Sequence, residues 1–238
     1  MTEQLTLAGT ESHGRADVGA TDHFPTPESV TRALLPHLLD RYGDLPSFLE
    51  PAAGTGSIVR VLQPLLHPNR TACALEIRRE MWLPLHEAMR NPWTEVHGHR
   101  RVECPVDFFD FREGDWPLII TNPPFAEQAR PRRRIGGTCE WAEACLPLLA
   151  PGGRLFLLGE INILGGQERG RWWSQPEHAA RLNVIPWRVE FLERGPVSGE
   201  KTGGSRMTHC WYEWHHPDTP APREWRILEC SGGVGVTA

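Results

Sequence analysis

Lysine is almost missing from this 238-residue chain: Lys201 stands alone, and arginine supplies the other 24 of the 25 basic side chains. The net charge of −5 gives no overall attraction to nucleic acid, so any phosphate contact has to come from local clusters. Arginine suits such clusters, because its planar fork matches a phosphate better than a point charge does. No apolar run approaches the ~20 residues of a membrane span. A basic-then-apolar leader is also lacking, so no export signal is visible. The six cysteines (Cys73, Cys104, Cys139, Cys145, Cys210, Cys230) show no Cys-x-x-Cys spacing. Dispersed thiols in an unexported chain read as reduced and structural, which points to the cytoplasm. His97-x-His99 and His215-His216 find no third or fourth ligand at plausible spacing, so they read as surface histidines and no metal is expected.

What is present begins with Thr121-Asn122-Pro123-Pro124-Phe125. The unbroken run Pro117-Leu118-Ile119-Ile120 that precedes it has the pattern of a parallel strand buried on both faces. Two consecutive prolines supply no N–H and fix φ, so the strand must end in a stiff elbow. Ligands of open α/β sheets sit at such carboxyl ends. Asn122 offers a carboxamide, Pro123 a carbonyl and Phe125 a ring, a set that could receive a primary amine on a flat heterocycle. Taken alone, the stretch reads equally well as a turn with Asn122 capping the strand and Phe125 in the core.

A second stretch, Pro46 to Glu50, predicts a strand that enters the turn Pro51-Ala52-Ala53-Gly54-Thr55-Gly56, followed by a helix through Ile58, Val59, Val61 and Leu62. A strand, a Gly-rich turn and a helix bring backbone N–H groups close to a nucleotide. Neither the Gly-Lys phosphate loop nor Gly-x-Gly-x-x-Gly is matched, so a charged but phosphate-free nucleoside fits better than a pyrophosphate. Thr71 to Glu76 predicts the next strand, and Glu76, 20 residues after Gly56, stands where such units place the acceptor for ribose hydroxyls. It could equally be a solvated strand end.

Ahead of these, Thr26 is expected to cap a helix with Pro27 at its first position, running through Val30, Leu34, Leu35 and Leu38. Ile77 to Met89 predicts a helix, and Val102 to Phe111 a strand and turn ending at Asp107-Phe108, with Asp110 competing for Asp107's part as an amine acceptor. Trp141 to Leu149 predicts a helix, Arg154 to Gly159 a buried strand, Gln167 to Leu182 a helix despite Pro176, and Val184 to Leu192 a strand. Met207 to Trp214 is strongly β-prone. The last two strands are joined by a Gly-rich loop too short for a crossover, so they should be antiparallel. The fold expected is α/β: a doubly wound sheet of seven strands with an antiparallel C-terminal hairpin. Residues 1–21 read as a flexible arm, 22–216 as one domain and 217–238 as a loose tail in which Trp225 could dock. Arg130, Arg132, Arg133 and Arg134 form the densest charge run, close to the elbow.

Phe-Leu-Glu-Pro-Ala-Ala-Gly-Thr-Gly (48–56), Asp-Phe-Phe (107–109) and Asn-Pro-Pro-Phe (122–125), in this order, resemble class I S-adenosylmethionine-dependent methyltransferases acting on exocyclic amines. Within these the chain is most similar to the bacterial and phage N6-adenine DNA methyltransferases. Phe-Pro-Thr-Pro (24–27) resembles their N-terminal motif in the gamma arrangement, and the segments 165–169 and 208–214 resemble small prophage members. The resemblance covers roughly residues 22 to 215 and implies a Rossmann-like methyltransferase sheet with S-adenosylmethionine as cofactor. It implies that Phe24 and Thr26 help hold the methionine carboxylate, that Pro51, Ala52, Gly54 and Gly56 shape the turn beneath the methionine and ribose, and that Glu76 takes the ribose. Asp107 and Phe108 are implied for the adenine. Asn122 and the Pro123 carbonyl are implied as acceptors for the target amine, with Pro124 stiffening the elbow and Phe125 stacking on the base. Gamma enzymes usually append a large target-recognition region, which is not expected from this sequence, so specificity would fall to Arg130, Arg132, Arg133 and Arg134, to the 165–173 segment with Arg169 and Trp172, and to the 194–206 loop with Arg206. DNA adenine is the favoured substrate, ahead of RNA amines, protein glutamine and an inactive cofactor-binding subunit.

Overall fold

The structure is a computed structural model describing residues 24–90, 99–124, 137–191 and 207–229. Among these residues eight strands form one sheet: β1 (Phe48–Glu50), β2 (Thr71–Leu75), β3 (His99–Glu103), β4 (Trp116–Thr121), β5 (Leu149–Glu160), β6 (Ala180–Val184), β7 (His209–His215) and β8 (Trp225–Ile227). Their spatial order is β3-β2-β1-β4-β5-β7-β6-β8. β3 to β5 run parallel through β2, β1 and β4, whereas β7 is antiparallel to both β5 and β6. The helices are α1 (Glu28–Arg32), α2 (Leu35–Tyr42), α3 (Ser57–Leu62), α4 (Trp82–Met89), α5 (Gly137–Cys145) and α6 (Gln167–Trp173).

The apolar run that announces β4 is buried on both faces. Leu118 and Ile120 join the core beneath α1 to α4, while Ile119 faces the other core with Cys139, Ala142 and Cys145 of α5. Each such side chain, removed fully from water, stabilises the fold by about 1.5–3 kcal/mol. β7 alternates in the same way: Trp211 enters the first core, Tyr212 and Trp214 the second. The sheet is thus doubly wound, and the hairpin expected at its C-terminal end is present as β6 and β7.

Several boundaries differ from the expectations. The helix expected over 167–182 ends at Trp173, a single 3₁₀ turn follows at Pro176–His178, and β6 begins at Ala180. Pro176 supplies no N–H for a continuing helix, and residues 180–184 gain a full ladder with β7 instead. That leaves residues 185–191, expected as strand, outside any strand. The region expected as a loose tail contributes β8, which pairs in parallel with β6. Asp107 does not end a strand but caps the 3₁₀ turn Phe108–Asp110, accepting from the Phe109 N–H at 3.0 Å.

A buried polar cluster fastens these C-terminal strands. Glu213 of β7 accepts from Arg181 Nη1 at 3.2 and 3.3 Å and from Asn183 Nδ2 at 3.3 Å. His215 Nε2 and His37 Nε2 each lie 3.2 Å from its oxygens, and Arg226 of β8 donates to His37 Nδ1 at 2.7 Å. His215 is therefore buried, not a surface histidine: it stands two residues from Glu213 and shares its face of β7. His97 lies outside the described residues. Among the described residues no helix is long and apolar enough to cross a membrane.

Candidate active site

β1 and β4 are neighbours, and the chain continues from them to opposite sides of the sheet, so a crevice opens beyond their carboxyl ends. The turn after β1 is fixed by backbone bonds: Ala53 N–H to Leu75 O at 2.8 Å and Gly56 N–H to Ala53 O at 2.7 Å. Gly54 and Gly56 both adopt positive φ, 55° and 79°. At Gly56 there is a second demand for glycine, since a Cβ would stand 2.5 Å from the Ala88 Cβ of α4. This glycine serves the approach of α3 to α4. Pro51 and Gly54 are buried and Ala52 is half-buried in the turn.

Three carboxylates lie at or beyond the carboxyl ends of β1, β2 and β3. Glu50, the last residue of β1, is buried, and its Oε2 has no hydrogen-bond partner among the described residues. Burial holds this carboxyl well above the usual carboxylate range. Sequence reasoning missed Glu50. Its signal was an acid directly ahead of the Pro-Ala-Ala-Gly turn. Glu76 follows β2 and accepts from the Gly54 N–H at 2.7 Å, with Arg78 on its other side. Asp107 is half-buried at its cap. Phe108, proposed for the adenine, is buried with its ring face stacked on Trp141 at 5.0 Å and 6°. Its neighbour Phe109 is half-buried and meets Trp141 edge-on.

The elbow is held from the N-terminal side of the chain. Asn122 Nδ2 donates to the Phe24 carbonyl at 3.3 Å and to Thr26 Oγ1 at 3.0 Å. A carbonyl can only accept, so the amide nitrogen must face Phe24 and the orientation of the carboxamide is set. Its Oδ1 is buried and has no hydrogen-bond partner among the described residues. Thr26 does not cap α1: Pro27 occupies the N-cap position, and the threonine hydroxyl serves Asn122 instead. The Phe24 ring meets Phe191 edge-on at 6.3 Å, and Trp211 Nε1 donates to Val30 O at 3.0 Å, docking α1 on the sheet. The sequence therefore brings Phe24, Thr26 and Asn122 together across nearly 100 residues.

No protein-family model and no curated protein matches the chain. Solved structures do. A candidate RNA methyltransferase from Pyrococcus horikoshii superposes with a TM-score of 0.58 at 14% identity, over 83% of this chain and 89% of that one. A candidate class I S-adenosylmethionine-dependent methyltransferase from Listeria monocytogenes gives 0.58 at 14% identity, over 87% and 67%. The M protein of the type I restriction enzyme EcoKI gives 0.56 at 15% identity over 89% of this chain, which spans about half of that protein's length (49%). The fold is that of the class I methyltransferases.

On this methyltransferase fold, Asn122 and Pro123 with Pro124 follow β4, Glu50 ends β1, the Gly turn follows it and Glu76 follows β2, all at the carboxyl ends of three adjacent parallel strands. Two of the proposed substrate contacts fare differently. Trp172 is only 4% exposed, donates to Glu143 Oε1 at 2.9 Å and stacks on His178 at 3.9 Å, so it belongs to the core and cannot touch a polymer. Arg169 is half-buried, donating to Gly165 O at 2.6 Å. Phe125, Arg130, Arg132, Arg133, Arg134 and Arg206 lie outside the described residues.

Proposed function

We propose that the chain transfers a methyl group from S-adenosylmethionine to the exocyclic N6 amine of adenine in DNA. The observation that supports this best is Asn122: its nitrogen is anchored twice and its buried oxygen has no hydrogen-bond partner among the described residues. An unpaired buried carbonyl oxygen costs about 1–3 kcal/mol, a cost removed when an amine donates to it.

The residues around the crevice suit the cofactor. We assign Glu50, whose Oε2 has no hydrogen-bond partner among the described residues, to the methionine ammonium, Glu76 to the ribose hydroxyls and Asp107 to the adenine amine. When bound, S-adenosylmethionine supplies an electrophilic methyl on its sulfonium. The protein's part is positional. Asn122 Oδ1 and the Pro123 carbonyl accept the two hydrogens of the target amine and draw the nitrogen towards a tetrahedral geometry, which localises its lone pair along the line of attack. Pro124 supplies no N–H to compete for nearby acceptors. A duplex target has to be flipped out at a few kcal/mol, and Phe125 is proposed as its stacking partner. Arg169, with the sequence-read arginines 130, 132, 133, 134 and 206, is proposed to meet phosphates in the cytoplasm.

The test offers methyl-labelled S-adenosylmethionine with duplex DNA, single-stranded DNA and RNA, followed by digestion to nucleosides. Label in N6-methyldeoxyadenosine supports the reading. Label confined to ribonucleosides or to protein glutamine contradicts it.

A further inference from the structure

Glu76 is only 3% exposed, although the proposed function asks it to receive two ribose hydroxyls. Its oxygens already hold four donors. Oε1 accepts from the Arg78 backbone N–H at 2.9 Å and from Arg78 Nε at 2.8 Å. Oε2 accepts from the Gly54 N–H at 2.7 Å and from Arg78 Nη2 at 3.3 Å. A carboxylate presents about four lone-pair sites, so none is left for an incoming hydroxyl. The two backbone donors are fixed by the Gly turn and by the end of β2. The guanidinium fork is on a side chain and can leave; its Nη2 bond is the longest of the four.

We infer that Arg78 is a built-in competitor of the cofactor's ribose, occupying the ribose-facing sites of Glu76 until two vicinal hydroxyls replace its fork. The inference rests on the reading of Glu76 as the ribose acceptor. In the free protein Arg78 keeps a buried carboxylate paired, since an ion stripped of its partner in such a place is strongly destabilising. On loading, the ribose hydroxyls take over from Nε and Nη2, and the guanidinium turns out of the crevice. Cofactor affinity is then the difference between two sets of hydrogen bonds to one carboxylate, and is weaker than the contacts of the bound state alone would give.

The experiment measures binding of S-adenosylhomocysteine and of its 2′,3′-dideoxy analogue by calorimetry to the wild type, Arg78→Gln and Arg78→Lys. Arg78→Gln is expected to bind S-adenosylhomocysteine roughly tenfold tighter, the scale of one charge-assisted pair of bonds. Arg78→Lys, which keeps the charge without the fork, falls between. The dideoxy analogue, having nothing to donate, should bind all three proteins equally. A general structural defect cannot raise affinity, so tighter binding confined to the hydroxylated ligand is specific to competition. Unchanged or weaker binding of S-adenosylhomocysteine by both variants overturns the inference, as does an equal gain for both ligands. Failure of the wild type and both variants to bind S-adenosylhomocysteine at all overturns the cofactor reading itself, and Arg78's role with it.

Discussion

Asn122 donates through Nδ2 to the hydroxyl of Thr26 at 3.0 Å, joining the end of β4 to a segment 96 residues away in the chain. The bond leaves the asparagine oxygen without a partner among the described residues, and so makes the strand end an oriented acceptor. Thr26→Val keeps the shape and removes the acceptor for Nδ2, while the Phe24 carbonyl still holds the amide. Turnover should fall about tenfold, the value of one hydrogen bond expressed as a rate. The cofactor's dissociation constant should stay within a few-fold. Steady-state kinetics alongside calorimetry checks both numbers.

Gly56→Ala places a Cβ 2.5 Å from the Ala88 Cβ at a backbone φ of 79°. The variant should lose about 1–3 kcal/mol of stability from overpacking and strain. Adding Ala88→Gly should return part of the loss. Denaturant midpoints of the single and double variants measure the coupling, and simple additivity would show that the helices do not meet there.

Glu213 is buried among Arg181, Asn183, His37 and His215. Burial by itself would push its carboxyl up, but the hydrogen bonds from His215 and His37 and the charge of Arg181 hold it well below the usual carboxylate range. A folded value below the unfolded one means stability that is present above the ordinary carboxylate range and lost as pH falls through it. Glu213→Gln should therefore cost about 3–5 kcal/mol near neutrality, since it removes the anion that faces the buried Arg181 guanidinium. Its stability should also vary less with pH below about 5 than that of the wild type.

Glu50 has the opposite sign. Burial raises its carboxyl above the unfolded value, so its contribution is present below the ordinary carboxylate range and lost as pH rises towards the folded value. Glu50→Gln should leave acid stability unchanged and raise stability at neutral pH in the absence of cofactor. The same change should weaken S-adenosylmethionine binding, because the ammonium loses its carboxylate. Thermal unfolding at two pH values, with and without the cofactor, separates the two effects. A variant that gained stability and bound equally well would remove Glu50 from the site.

Local pattern carried β4, the Gly turn and β7, because each is a run whose burial on both faces or whose glycines leave few alternatives. The elements that were misread depend on partners distant in sequence. Residues 180–182 scan as the end of a helix, yet the ladder with β7 and the proline at 176 decide for strand. β8 is three residues in a Pro-rich stretch and exists because β6 offers it an edge. Trp172 beside Arg169 and Arg171 resembles a nucleic-acid surface, but a ring on His178 and a bond to Glu143 place it inside. Phe108 likewise has its face against Trp141, 33 residues away. Thr26 was legible as part of a motif and not as the partner of Asn122, since a capping threonine and an anchoring one look the same in sequence.

Methyl transfer as proposed depends most directly on the Asn122 oxygen. Asn122→Ala, given methyl-labelled S-adenosylmethionine and adenine-containing DNA, should incorporate no label above background while binding the cofactor within a few-fold of the wild type. Normal methyl incorporation by that variant would contradict the assignment of Asn122 as the acceptor that prepares the amine.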